Sequence, residues 1–320
     1  MKPLRLISVT YFGLIAILYL ISIQMVLAVP TTVNVEIVGV GKGRTFYIDG
    51  RGWYWAAEIL IKIETQPGVW ENARAYCMQY DVDLHRTTYQ YDLIDIPNPD
   101  EPAWRAVSYL LTWYDPPADN DIAAAIQGAI WKIDPLNRMD PKDDPSGYSN
   151  YDPPGPPSMS IYQEAMTYDV IRQGDKIEWV TPDTIYAGPG KDVILTAKVT
   201  DSAGNPRPNV RVVFRTTGGT LNKQYDFTDA DGKVTVILTT PSEMGLIEVE
   251  ASTRRVWPVV YMRNDRTQDL IGLGDELGLT TTKEIAVIAQ IHVIPEVPFG
   301  TLAAVATCLF AYIVKSKLQA

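Results

Sequence analysis

Cys77 is the residue in this chain best suited to covalent chemistry. It is one of two cysteines among 320 residues, and the other, Cys308, lies in an apolar stretch near the C-terminus. Within the polar part of the chain Cys77 therefore has no partner for a disulfide. A thiol reacts as the thiolate, which calls for a base or an electropositive setting. The chain has two histidines, His85 shortly after Cys77 and His292 close to the apolar tail. No Cys-His-Asn/Asp pattern is visible, so a cysteine hydrolase or transglutaminase stands only as an alternative. Two distant histidines do not make a zinc site. Asp140-Pro141-Lys142-Asp143-Asp144 lacks the spacing of a calcium loop. The glycines of Gly39-Val40-Gly41-Lys42-Gly43-Arg44 are not followed by the Lys-Ser/Thr of a phosphate loop and read as turn glycines. No metal or cofactor is expected.

The segments around Cys77 read as strands. Val33, Val35 and Ile37 alternate, as do Trp55, Ala57, Ile59, Ile61 and Ile63, and Trp70 to Asp83 carries Ala75-Tyr76-Cys77-Met78 at its centre. Two helices follow. Ala103 to Tyr114 presents Val107, Leu110, Leu111 and Tyr114, and Asp119 to Ile133 presents Ile122, Ile126, Ile130 and Ile133. Asp119 or Asn120 is the N-cap of the second. On that helix Gln127 falls at the edge of the apolar stripe, between Ala123 and Trp131, which predicts a partly desolvated carboxamide satisfied by hydrogen bonds. Residues 134–157, rich in Pro, Asp, Gly and Ser, read as a long surface loop, and Ile161 to Ile171 as a last short helix.

From about Trp179 the pattern changes to short alternating strands with turn signals at regular spacing, which predicts a β-sandwich. The stretches from Val199 to Phe214 (VTDSAGNPRPNVRVVF) and Thr228 to Val236 (TDADGKVTV) resemble bacterial immunoglobulin-like repeats of surface adhesins, over roughly 181–252. That resemblance implies a spacer holding another domain away from the membrane.

Both ends are apolar. Lys2 and Arg5 precede an uncharged run from Leu6 to Ala28, which reads as a signal peptide. Phe299 to Val314 is uncharged and is followed by Lys315 and Lys317, which reads as a transmembrane tail with everything between the two ends outside the cell. Pro295-Glu296 ahead of this run resembles the Pro-Glu-Phe type sorting tails of archaeal surface proteins, in which a membrane transpeptidase cleaves near the motif. Without the two ends, 24 basic and 37 acidic residues remain, a net of −13 that disfavours nucleic acid as a partner.

Tyr76-Cys77 in a strand, together with Ala125-Ile126-Gln127-Gly128-Ala129-Ile130-Trp131 in a helix, resembles the thioester domains of Gram-positive surface adhesins, over about 33–170. Trp104 to Leu111 is similar to the helix that precedes theirs. After the cysteine this chain has Met78-Gln79-Tyr80-Asp81, where members often have Pro-Gly turns and Ser/Thr. The resemblance implies that Cys77 supplies the sulfur and Gln127 the acyl group of an internal thioester, with Tyr76, Ala123 and Trp131 around it. A partner amine then opens the bond once, forming an amide. The implied role is covalent adhesion to an amine-bearing surface protein or matrix partner at the extracellular face, not enzymatic turnover. A non-covalent binding module, or a stalk without the bond, is the alternative.

The expected fold class is mainly β with a helical subdomain, an α+β thioester-type domain followed by an Ig-like β-sandwich, with a signal peptide and a C-terminal transmembrane tail. The expected division is 1–28 signal peptide, 33–175 thioester-type domain, 179–255 sandwich, 256–293 juxtamembrane segment and 294–320 sorting and transmembrane tail.

Overall fold

The computed structural model describes residues 32–48, 52–79, 84–94, 96, 101–133, 135–136, 157–182, 185–263 and 268–288. The expected signal peptide, the expected 134–157 loop apart from residues 135–136 and 157, and the expected tail with Pro295 and Glu296 lie outside them. No described helix is long and apolar enough to cross a membrane.

Four antiparallel strands open the described chain: β1 (Thr32–Ile48), β2 (Gly52–Gln66), β3 (Val69–Cys77) and β4 (Thr88–Ile94). Three helices follow, α1 (Pro102–Trp113), α2 (Asn120–Ile133) and α3 (Pro157–Thr167). Then come β5 (Lys176–Trp179), β6 (Ile185–Ala187), β7 (Asp192–Thr200), β8 (Arg211–Thr216), β9 (Thr220–Leu221), β10 (Tyr225–Phe227) and β11 (Lys233–Thr239). Two long strands end the described chain, β12 (Gly245–Met262) and β13 (Leu270–Val287).

β12 and β13 pair along almost their whole length and belong to two bodies at once. Their first and last parts, respectively, join β10, β8 and β6 in one sheet of a sandwich, which faces β5-β7-β11-β9. At the other end, Val260 to Met262 pair with β4, and Leu270 to Gly272 pair with β3. The ring β12-β4-β1-β2-β3-β13 therefore closes into a six-stranded antiparallel barrel. Pro258 sits at the register shift between the two halves of β12, where a ladder donor is not needed.

The sequence sets 256–293 apart as a juxtamembrane segment whose strand-like stretches, Gln268 to Ile271 and Glu284 to Val293, could close a sheet of either domain. Its described residues, 256–263 and 268–288, lie largely in the paired strands β12 and β13, which complete the barrel and the sandwich together. The Ig-like strands are thus threaded between the helices and the last hairpin of the barrel. Period-2 patterning marks a strand but not its partners, which is why this pairing is invisible in the sequence.

Each barrel strand sends alternate side chains inward: Val33, Val35 and Ile37 from β1, Ile59 and Ile61 from β2, Ala75 and Cys77 from β3, Tyr91 from β4, Tyr261 from β12 and Leu270 from β13. The glycines of the Gly39–Gly43 stretch lie within bulged β1 and not in a turn. A Cβ on Gly43 would stand 2.2 Å from that of Ala57, so only glycine permits this approach of β1 to β2. The helices cover one outer face of the barrel. Trp104, Val107, Leu110 and Leu111 of α1, Ile126 and Ile130 of α2, and Ile161 and Ala165 of α3 pack with Tyr76, Met78, Val260 and Ile271. α1 starts one residue before the expected span and α2 ends where expected, whereas α3 runs four residues earlier than the sequence suggests. Asp119 is the N-cap of α2, its Oδ1 accepting from the N–H groups of Asp121 and Ile122 at 2.9 Å.

Candidate functional site

Cys77 is the last residue of β3, with its side chain inside the barrel. On one side β3 pairs with β13, Leu270 standing opposite Cys77. On the other side the ladder with β2 stops at Ala75, opposite Ile59. The Cys77 N–H and C=O would be left without a strand partner there.

Gln127 of α2 fills that place. Its Oε1 accepts from Cys77 N–H at 2.8 Å and its Nε2 donates to Cys77 O at 2.6 Å. The carboxamide thus imitates the next rung of a β ladder. It is 1 % exposed, more deeply buried than a helix-edge position predicts. α2 is held in register by contacts from β1 to its first turn and the loop before it: Lys42 Nζ donates to Pro117 O at 2.7 Å, Gly43 N–H reaches Asn120 Oδ1 at 3.3 Å, and Arg44 pairs with Asp121.

The sulfur has a different partner. Cys77 Sγ donates to Oε1 of Gln268 at 2.7 Å. Gln268 lies just before β13, so the antiparallel pairing that puts Leu270 beside Cys77 brings this side chain over the thiol. A carbonyl bond of about 1.23 Å places the Gln268 carboxamide carbon no more than about 3.9 Å from sulfur. Both polar atoms of Gln127, by contrast, are engaged with the Cys77 backbone.

The surroundings hold Gln268 in place. Its Nε2 donates to Gln79 O, and its own carbonyl accepts from Tyr91 Oη at 3.2 Å. Met78 N–H reaches Asp269 O at 3.0 Å. Cys77, Gln127 and Gln268 are 8 %, 1 % and 4 % exposed, which keeps bulk water from the thiol and the two carboxamides. Burial pushes the Cys77 thiol well above its ordinary range, so at neutral pH it is the neutral S–H. His85 is exposed, and the acceptor on the thiol is an amide oxygen, not an imidazole.

Of the remaining residues singled out in the sequence, Trp131 packs in the same cluster as Cys77, and Ala123 is fully buried on α2. Tyr76 points to the opposite face of β3, into the helical layer. There its hydroxyl donates to Asp115 Oδ1 at 3.0 Å, and Arg74 binds the other oxygen of Asp115 at 2.6 Å. Burial first, and then the Asp115 carboxylate, hold the Tyr76 phenol well above its usual range.

Gln268, Gln79 and Asp269 are the site residues that sequence reasoning missed. A polar Gln-Asp pair immediately before an apolar strand is the one local signal, and it is weak. The spacing of 191 residues from Cys77, with a whole sandwich between, hides it. Among the described residues no group of three or more His, Cys, Asp or Glu is arranged to hold a metal ion.

Residues 179–256 match the bacterial Ig-like domain, group 1. The matched stretch runs from the end of β5 into the middle of β12, and so covers most of the sandwich. The comparison with curated proteins gave no match. Solved structures similar to the chain include the Bacillus anthracis TIE protein, at 12 % identity over 80 % of this chain and 49 % of that one, with a TM-score of 0.35. The thioester domain of an Enterococcus faecium TIE protein is 12 % identical over 82 % of this chain and 98 % of that one, with a TM-score of 0.33. The D0-D1 domain of intimin is 21 % identical over 35 % of this chain and 47 % of that one, with a TM-score of 0.22. The chain thus spans about half the length of the intimin and B. anthracis structures.

Proposed function

We propose that this chain is a cell-surface adhesin that attaches covalently to an amine-bearing partner through an internal thioester. We further propose that the bond joins Cys77 to Gln268, and that Gln127 is the residue that positions the cysteine. The observation that carries this assignment is the 2.7 Å contact between Cys77 Sγ and Gln268 Oε1, both buried. It replaces the Cys77–Gln127 pairing implied by the sequence resemblance, because the Gln127 carboxamide is engaged with main-chain atoms.

The chemistry balances without a cofactor. The sulfur attacks the Gln268 carboxamide carbon, the C–N bond breaks, and the thiol proton leaves with the nitrogen as ammonia. In water the exchange is uphill. Two groups held in contact react at effective molarities up to about 10⁵ M or more, and ammonia is lost to bulk solvent. A partner amine, such as a lysine side chain, then attacks the same carbon. An amide forms on residue 268 and Cys77 regains its proton. Each molecule reacts once, so the role is attachment and not turnover. The match of 179–256 to a bacterial Ig-like domain supports a surface spacer. β13 runs from the barrel into the sandwich, so the chain leaves toward its apolar tail from the sandwich end.

Intact mass of the secreted region, residues 29–293, tests this. The wild type is expected to be lighter by one ammonia, and Cys77→Ala and Gln268→Ala to keep their full mass. Methylamine should then label residue 268. A full-mass wild type with a titratable thiol overturns the thioester, and a label on residue 127 returns the acyl role to Gln127.

A further inference from the structure

We propose that Gln79 and Asp269 act together as the clamp that sets the acyl donor on the sulfur, so that thioester formation depends on their hydrogen-bond complementarity. This rests on the Cys77–Gln268 reading above. The hydrogen bond of the sulfur goes to Gln268 and not to either of them. Both are positioning residues.

The two side chains form a reciprocal pair on either side of Gln268. Gln79 Oε1 accepts from Asp269 N–H at 2.9 Å, and Gln79 Nε2 donates to Asp269 Oδ2 at 3.0 Å. The other oxygen, Asp269 Oδ1, accepts from Arg263 N–H at 2.8 Å. That bond ties the end of β12 to the start of β13, across the connection that carries Gln268. Gln79 also holds the reacting amide itself, since its main-chain carbonyl accepts from Gln268 Nε2. The nitrogen that must leave as ammonia is therefore held on one side while the carbonyl oxygen is held by the thiol on the other. Asp269 is 1 % exposed, so each of its bonds is made away from water, where an unmet polar group is costly.

The donor and acceptor pattern determines which substitutions are tolerated. Asp269 must accept at both carboxylate oxygens, one for Arg263 N–H and one for Gln79 Nε2. Asp269→Asn leaves one acceptor and turns an N–H₂ toward a donor. Gln79→Glu sets a second carboxylate against the first. Each single change pushes the Gln268 backbone away from its place. A misplacement on the order of 1 Å slows an intramolecular reaction about 100-fold. The double change restores complementarity with the roles reversed. The carboxamide nitrogen and the main-chain N–H at position 269 then donate to the two carboxylate oxygens at position 79. The carboxamide oxygen at position 269 still accepts from Arg263 N–H.

The test is a timed re-formation of the thioester in residues 29–293. Concentrated ammonia opens the thioester to free Cys77 thiol and Gln268. After its removal, the return of the bond is followed by thiol titration and intact mass. Asp269→Asn and Gln79→Glu are expected to re-form it about 100-fold more slowly. The double variant Gln79→Glu/Asp269→Asn is expected to come within about tenfold of the wild type. Urea unfolding of the same three proteins separates slow chemistry from lost fold, because a purely structural role moves rate and midpoint together. Single variants that close at the wild-type rate overturn the clamp, as does a double variant no faster than the slower single. A wild type that never loses ammonia overturns the thioester itself, and the clamp with it.

Discussion

The sulfur of Cys77 and Oε1 of Gln268 stand 2.7 Å apart although 191 residues separate them in the chain. The contact exists because the end of β3 and the start of β13 are antiparallel neighbours in a closed barrel. It is independent of Gln127, whose two bonds go to the main chain of Cys77. One glutamine thus fixes where the cysteine is, and the other meets its sulfur.

Removing the first glutamine should loosen the site while leaving the contact between Cys77 and Gln268 in place. Gln127→Ala leaves a buried N–H and a buried C=O on Cys77 unmet, at a cost of about 3 kcal/mol in total. Gln127→Glu replaces the donor to Cys77 O with an acceptor and should destabilise at least as much. Urea unfolding checks both. Any thioester that still forms in Gln127→Ala should carry its methylamine label on residue 268.

The unreacted thiol should be inert and sensitive to alkali only through folding. In Gln268→Ala no acyl group is available, and burial keeps Cys77 protonated. Iodoacetamide should then react slowly at pH 8 in the native protein and rapidly in denaturant. A raised folded pKa means that the stabilising contribution is complete below the unfolded value near 9 and is lost as pH rises above it. Buried tyrosines such as Tyr261, pushed up to about 12, give a loss of the same sign. The Cys77 share is therefore the difference in pH dependence between Gln268→Ala and Cys77→Ala/Gln268→Ala.

On the opposite face of β3, buried Asp115 joins buried Tyr76 to half-buried Arg74. Asp115→Ala leaves the Tyr76 phenol without its acceptor and the Arg74 guanidinium with Glu58 alone, 3.7 Å away. It should cost about 2 kcal/mol by chemical denaturation. Asp115→Asn, which can still accept from one of the two, should cost less.

Gly232 in the turn before β11 has φ +73°, and a Cβ there would lie 2.5 Å from Val199 O. Gly232→Ala should lower stability by about 2 kcal/mol, from the left-handed backbone and the clash together. β12 and β13 run through both bodies, so sandwich and barrel should melt as one transition, which calorimetry can check.

The helices, the strand that carries Cys77 and the sandwich strands were legible because each rests on local periodicity and turn chemistry. Asp119 as a cap, the Ile122–Ile133 stripe and the turn at Asp229–Gly232 all act within a few residues. The fate of 256–293 was not legible, since alternation in Val256–Met262 and Leu270–Val287 fits either sheet. Gln127 stands out in the sequence because it sits on a patterned helix. Gln268 does not, because it sits on nothing regular.

The sequence by itself determined that the chain has one lone thiol outside its apolar tail, a strand to carry it, a helix to brace it and an Ig-like module. Only the tertiary structure decided which glutamine meets the sulfur. Helices and turns are set by neighbours in sequence. The partners of a barrel strand are set by closure of the ring, which brings together residues from opposite ends of the fold.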